Sequence, residues 1–185
     1  RLMEFPTAIL GIAMGTVLLP SLSQAHAEGD TTQYSALLDW GLRLCLLLAA
    51  PAMVGLALLA EPLTALMFHY GAFSANDLAM TARTVSAYSV GLFGLIAVKI
   101  LAPGFFAKQD VKTPVKIAIA VLVFTQLLNL LFVPWLAHAG LALAISLGAW
   151  INSGWLLVGL RRRGLYVASP GWGGYGIKVA AALAA

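Results

Sequence analysis

Three charged residues stand where an apolar chain can least accommodate them: Arg1, Glu4 and Lys99 lie in or beside long uncharged runs. In a helix that crosses a bilayer, each would cost about 2.5–3.5 kcal/mol at mid-depth on insertion scales, so each should face a bundle interior or a watery cavity. Arg1 and Glu4 are three apart, which puts them on one helical face within pairing distance. Pro6 follows and favours a kink by removing a backbone donor. An arginine held on such a face is suited to a phosphate, whose oxygens its planar guanidinium binds two at a time. The competing reading is that Arg1 and Glu4 sit at the interface and anchor the helix end. Lys99 lies eight residues before the end of its window. Its stem either snorkels to the interface or its ammonium takes part in substrate or ion passage.

The remaining polar residues suggest packing rather than catalysis. Gln126, Asn129 and Asn152 are uncharged and are expected to form interhelical hydrogen bonds. His26, His69 and His138 lack metal-ligand spacing, and Cys45 is the single cysteine, so neither a metal site nor an internal disulfide is expected. His69 is either a proton relay or a packing residue of a loop. No HExxH, GxSxG or Walker loop occurs, and the seven carboxylates are dispersed, so no enzyme is expected in this chain.

The elements that must position these groups follow from composition. Of 185 residues, 61% are hydrophobic and 10% charged, with mean hydropathy +0.92. Soluble domains run nearer 45–50% apolar and about 25% charged, so most of this surface must face lipid. The eleven Lys/Arg form no basic stripe with interleaved aromatics, which argues against nucleic acid. The chain begins with Arg rather than Met and ends in an apolar run, and it is expected to be part of a longer protein.

A span needs about 20 mostly apolar residues. Such windows predict spans at roughly 3–23, 41–60, 83–106, 115–135 and 139–160, with 170–185 beginning a truncated sixth. The runs are continuous and rich in Leu and Ala, which points to helices rather than barrel strands. The expected fold is therefore all-α, a polytopic transmembrane bundle. Lys108, Lys112 and Lys116 fall in one connection and Arg161, Arg162 and Arg163 in another, two spans apart; both should be cytoplasmic. On that count Gln24–Arg43 is cytoplasmic as well, while Glu61–Arg83 and the turn between Pro134 and Gly140 face outward.

Local patterns add detail. Residues 30–43 suggest a short amphipathic helix along the interface, with Tyr34, Leu37, Leu38 and Leu42 as its stripe and Asp39–Arg43 as a weak pair on the other face. Ser74 and Asp77 have capping-box spacing. Gly11–Gly15 and Ala144–Gly148 are small-residue pairs of the kind that let helices approach.

Four stretches carry a family resemblance. RLMEFPTAILGIAMGTVLLPSLS (1–23), FHYGAFSAND (68–77), LAPGFFAKQDVKTPVKIAI (101–119) and HAGLALAISLGAWINSGWLL (138–157) resemble, in order, segments of the MurJ/MviN family. That family comprises bacterial inner-membrane flippases for the peptidoglycan precursor lipid II, within the multidrug/oligosaccharidyl-lipid/polysaccharide exporter superfamily. The resemblance implies fourteen spans in two lobes plus a final pair. Residues 1–169 would be most of the C-terminal lobe, and the start of the chain would lie outside. It implies that Arg1 matches a cavity arginine needed for transport and that Glu4 lines the same cavity; Ala8 replaces a common Gly. It further implies alternating access without covalent catalysis, no cofactor, and coupling to membrane potential or ions. Partners would be lipid II, membrane lipids and cell-wall synthesis proteins. Rival readings are an exporter of drugs or another polysaccharide-lipid, a non-transporting scaffold for cell-wall enzymes, and a membrane-embedded transferase.

Overall fold

The computed structural model describes residues 4–68 and 74–184, with side chains from 15–68 and 74–183. Its described elements are helical: α1 (Glu4–Ala27), α2 (Thr31–Leu58), α3 (Ala60–Phe68), α4 (Ala75–Ser89), α5 (Leu92–Leu101), α6 (Pro103–Phe106), α7 (Lys112–Leu136), α8 (His138–Arg162) and α9 (Trp172–Ala184). Four stretches among the described residues are long and apolar enough to cross a membrane: Thr31–Leu58, Ala75–Phe106, Lys112–Leu136 and His138–Arg162.

Two expectations are corrected. Residues 30–43 are not a separate interfacial helix but the first turns of α2, which runs unbroken for 28 residues from its N-cap Asp30. At 1.5 Å per residue it is about 42 Å long, more than the ~30 Å hydrocarbon core, so it needs no break to emerge from lipid. The window at 83–106 is part of a longer, broken rod: α4, α5 and α6 run from Ala75 to Phe106 with interruptions at 90–91 and at Ala102.

The core lies where α1, α2, α5 and α8 meet. Leu18 and Leu22, Leu38 and Leu42, Ile96 and Ile100, and Leu156 and Leu160 are buried there in one cluster. The stripe read from the α2 sequence is this face, since Tyr34, Leu38 and Leu42 are all buried. Gly41 sits where a Cβ would come within 3.0 Å of Leu18 and 3.1 Å of Ile100, so its lack of a side chain lets α2 settle between α1 and α5.

α7 is peripheral and packs along α8, with only Pro114 and Val121 buried. Leu122, Leu127, Leu130 and Leu131 are exposed on it. That surface is stable only if hydrocarbon or another apolar segment covers it. Ala144 is fully buried and Gly148 lies against Thr125 of α7, so this small-residue pair does serve close packing. A Cβ on Gly15, by contrast, would meet nothing within 4 Å, and the side-chain position of Gly11 lies outside the described residues. Gln126 and Asn129 bond each other along α7 at 3.3 Å rather than bridging helices.

The turn expected near 134–140 is a single residue, Ala137, between α7 and α8. It has φ 49° and ψ −125°, a region that L side chains rarely occupy. Ala137→Gly should therefore raise stability by about 1 kcal/mol, read as a higher melting temperature of the purified whole protein. An unchanged or lower value would contradict strain at this turn.

Candidate functional site: polar clasps and a broken helix

Arg1 and the side chain of Glu4 lie outside the described residues, as do His69 and its neighbours to residue 73. Lys99 is on α5, whose Leu92, Ile96 and Ile100 face the core; it is exposed and makes no ion pair among the described residues. Of these sequence-selected groups, Lys99 is thus the one whose side chain falls among the described residues. What the fold does bring together are three polar arrangements, two of them built partly from residues read as surface.

The first is centred on Asp39, which is buried rather than facing solvent. Tyr166 Oη donates to its Oδ1 at 2.9 Å, Trp172 Nε1 donates to the same oxygen at 2.7 Å, and the Ser169 amide approaches it at 3.4 Å. Oδ2 accepts from Arg43 Nε at 2.9 Å. Arg43 in turn donates to the Pro170 carbonyl at 3.3 Å and lies over the rings of Trp172 and Tyr175. Its own carbonyl accepts from Tyr175 Oη. Ser35 exchanges two bonds with the backbone of Val167. The segment between α8 and α9 is thereby strapped across the first turns of α2. Burial, followed by the hydrogen bond to Asp39, pushes the Tyr166 hydroxyl up to about 12, so it remains a donor at ordinary pH.

The second arrangement ties the α6–α7 corner to the end of α8. Gln109 takes a positive φ of 59°, which turns the chain so that Asp110 caps α7. Asp110 accepts from the Thr113 amide at 3.1 Å and from the Thr113 hydroxyl at 2.6 Å. Arg163 donates to Asp110 and, at 2.8 Å, to Thr113 Oγ1. The lysine and arginine clusters accordingly occupy the same end of the bundle, as the charge count requires. The bonds from Thr113, then that from Arg163, hold the Asp110 carboxyl down to about 2. A depressed carboxylate stabilises the fold above its unfolded value near 3.9, and that contribution is lost as pH falls through about 2. An infrared carboxylate titration, wild type minus Asp110→Asn, should show protonation near pH 2. In Arg163→Ala it should move toward the ordinary range, and no movement would discount the arginine.

The third arrangement is the break between α4 and α5. Ser146 Oγ, from α8, donates to the carbonyls of Ala87 at 3.0 Å and Tyr88 at 3.3 Å, and Trp150 Nε1 donates to that of Val90 at 2.8 Å. These donors supplement the backbone bonding at the interruption, where the Tyr88 carbonyl also accepts from the Gly91 amide at 2.9 Å. In hydrocarbon, where water cannot help, non-helical backbone is tolerated only with such replacement partners. Gly91 and Gly94 make the approach possible, since a Cβ at either would fall within 3 Å of α8 backbone. At the opposite end of α4, Ser74 and Asp77 form the expected capping box. No group of three or more His, Cys, Asp or Glu able to hold a metal occurs among the described residues.

A peripheral apolar helix, a helix broken at depth and capped by its neighbour, and basic residues gathered at one end define an all-α polytopic membrane bundle. The family model described as "Lipid II flippase MurJ" matches residues 1–185, and the chain belongs to that family. It is 61% identical over 172 residues to a protein of Burkholderia cenocepacia named lipid II flippase MurJ, covering 93% of this chain and 33% of that one. It is 39% identical over 166 residues to a probable lipid II flippase MurJ of Vibrio cholerae, covering 90% of this chain and 32% of the relative. The fold matches a solved structure of lipid II flippase MurJ in an inward closed conformation, with TM-score 0.82 and 23% identity over 99% of this chain and 38% of that one. The chain thus spans about a third of the length of these relatives.

Proposed function

We propose that this chain is most of the C-terminal lobe of an inner-membrane flippase that moves lipid II across the bilayer for peptidoglycan synthesis. The observation that carries the reading is the family match across residues 1–185. In this mechanism two lobes rock about a central cavity and open it to one face at a time. Arg1 and Glu4 line the cavity, and Arg1 binds the pyrophosphate of the head group. The polyprenyl tail stays in lipid. The end carrying Lys108–Lys116 and Arg161–Arg163 is cytoplasmic, and Lys99 serves either passage or anchoring. No bond is made or broken, and the drive comes from membrane potential or ions. Cell-wall synthesis enzymes are further partners.

The test uses the whole protein in cells depleted of their own flippase, with lipid II exposure on the outer leaflet as the readout. Wild type should restore both growth and exposure. Arg1→Ala should lower the rate about tenfold, the loss of one charge-assisted phosphate contact, while reaching the membrane in normal amount. Normal exposure by Arg1→Ala would remove Arg1 from the site. Growth without lipid II movement would favour a scaffold, and cysteine labelling at Ser74 and Gln109 from one and the same side would overturn the orientation.

A further inference from the structure

A narrow apolar slot runs along the bundle between α5 and α8. One wall is Phe93, Ala97 and Leu101, four residues apart on a single face of α5; the other is Trp150, Gly154, Leu157 and Arg161 on a single face of α8. The Phe93 and Trp150 rings meet 5.1 Å apart at its deep end. Its volume is about 220 Å³, and along α8 it extends about 16 Å from Trp150 to Arg161. Leu42 of α2 and Ser153 also line it, and a Cβ on Gly154 would meet nothing within 4 Å. At the other end the apolar lining stops: Arg161 is exposed there, its guanidinium 5.4 Å from the centre of the Tyr166 ring, beside Trp172.

We infer that this slot is a binding site for an anionic membrane phospholipid, with one acyl chain between α5 and α8 and the phosphate on Arg161. The slot is too narrow for a head group, and its lining offers hydrocarbon to hydrocarbon. Among the described lining residues the cation is Arg161, and it lies beside Tyr166 and Trp172, residues of the type that marks the membrane interface. Its guanidinium is planar and weakly hydrated, and it can bind two phosphate oxygens at once. A neutral apolar peptide segment would fill the slot equally well but would leave Arg161 unused. The assignment is independent of what the whole protein transports.

The experiment takes the whole protein in vesicles containing phosphatidylglycerol or phosphatidylcholine with a photoreactive diazirine in one acyl chain, and maps the crosslinked peptides. Crosslinks should concentrate on Phe93–Leu101 and Trp150–Leu157, with about a fivefold preference for phosphatidylglycerol, the ratio expected of one interfacial cation. Arg161→Gln should abolish the preference, whereas Arg162→Gln, whose side chain does not line the slot, should keep it. Gly154→Leu should fill the slot and suppress labelling by both lipids. Equal labelling by the two lipids, a preference unchanged in Arg161→Gln, or no enrichment on these two segments would each overturn the site. The Arg161→Gln arm decides the matter even if Gly154→Leu misfolds.

Discussion

Asp39→Ala should destabilise the protein by about 3–5 kcal/mol, the scale on which a buried polar cluster suffers when one partner is removed. The loss is large because Asp39 is buried and takes bonds from Tyr166, Trp172 and Arg43 together. Alanine would leave an indole N–H and a phenol without acceptors, and Arg43 without its carboxylate. Asp39→Asn keeps one oxygen acceptor and should cost less. Two measurements distinguish this cluster from an ordinary surface pair: the melting temperature of the purified whole protein, and thiol reactivity of a cysteine placed at Ser169. The strap should become reactive in Asp39→Ala before the bundle melts. A melting temperature within a degree of wild type would mean that the cluster contributes no more than an exposed ion pair, a few tenths of a kcal/mol.

Gly91→Val should be nearly as damaging, at about 3 kcal/mol, the upper part of the range for overpacking. The added Cβ would sit 2.5 Å from the Ser146 Cα and 2.6 Å from its Oγ. Because the obstacle includes backbone, α8 as a whole must move. That movement would draw Ser146 and Trp150 away from the carbonyls of Ala87, Tyr88 and Val90, adding the loss of these bonds to the steric cost. Gly154→Ala is the matched control, since it adds a methyl to α8 in open space and removes the helix penalty of glycine, about 1 kcal/mol. It should be neutral or stabilising. Equal melting temperatures for Gly91→Val and wild type would show that α4 and α5 do not approach α8 this closely.

The parts of the structure legible in the sequence are those written in local spacing. Uncharged windows located the long apolar helices α7 and α8, Pro134 to Gly140 located the turn between them, Ser74–Asp77 located a helix start, and the period of Tyr34, Leu38 and Leu42 located a buried face. Asp39 was misplaced for a physical reason. Its four-residue spacing from Arg43 matches a solvent-facing pair, and the groups that bury it lie 127–133 residues away. The available hint was a carboxylate flanked by Leu38 and Trp40 near the start of an apolar helix. The break at 90–91 was hidden because an interrupted helix keeps the same apolar content; only Gly91 and Gly94 marked it. Arg1 and Glu4 stand out in the sequence as charges that lipid penalises, a signal of cost that does not specify a partner.

The distances in sequence that hide the Asp39 cluster also bear on how the protein is made. Ribosomes add about 5–20 residues per second, so some 130 residues separate Asp39 from Tyr166 and Trp172 by about 7–26 s of synthesis. Throughout that interval α2 must already be entering the membrane with an unpartnered carboxylate. A position in the third turn of a helix longer than the hydrocarbon core keeps Asp39 within reach of water while it waits. At mid-helix the same residue would hinder its own insertion. The strap thus closes only after α1 to α8 have been made, and α9 is held in place once the helices before it have been delivered.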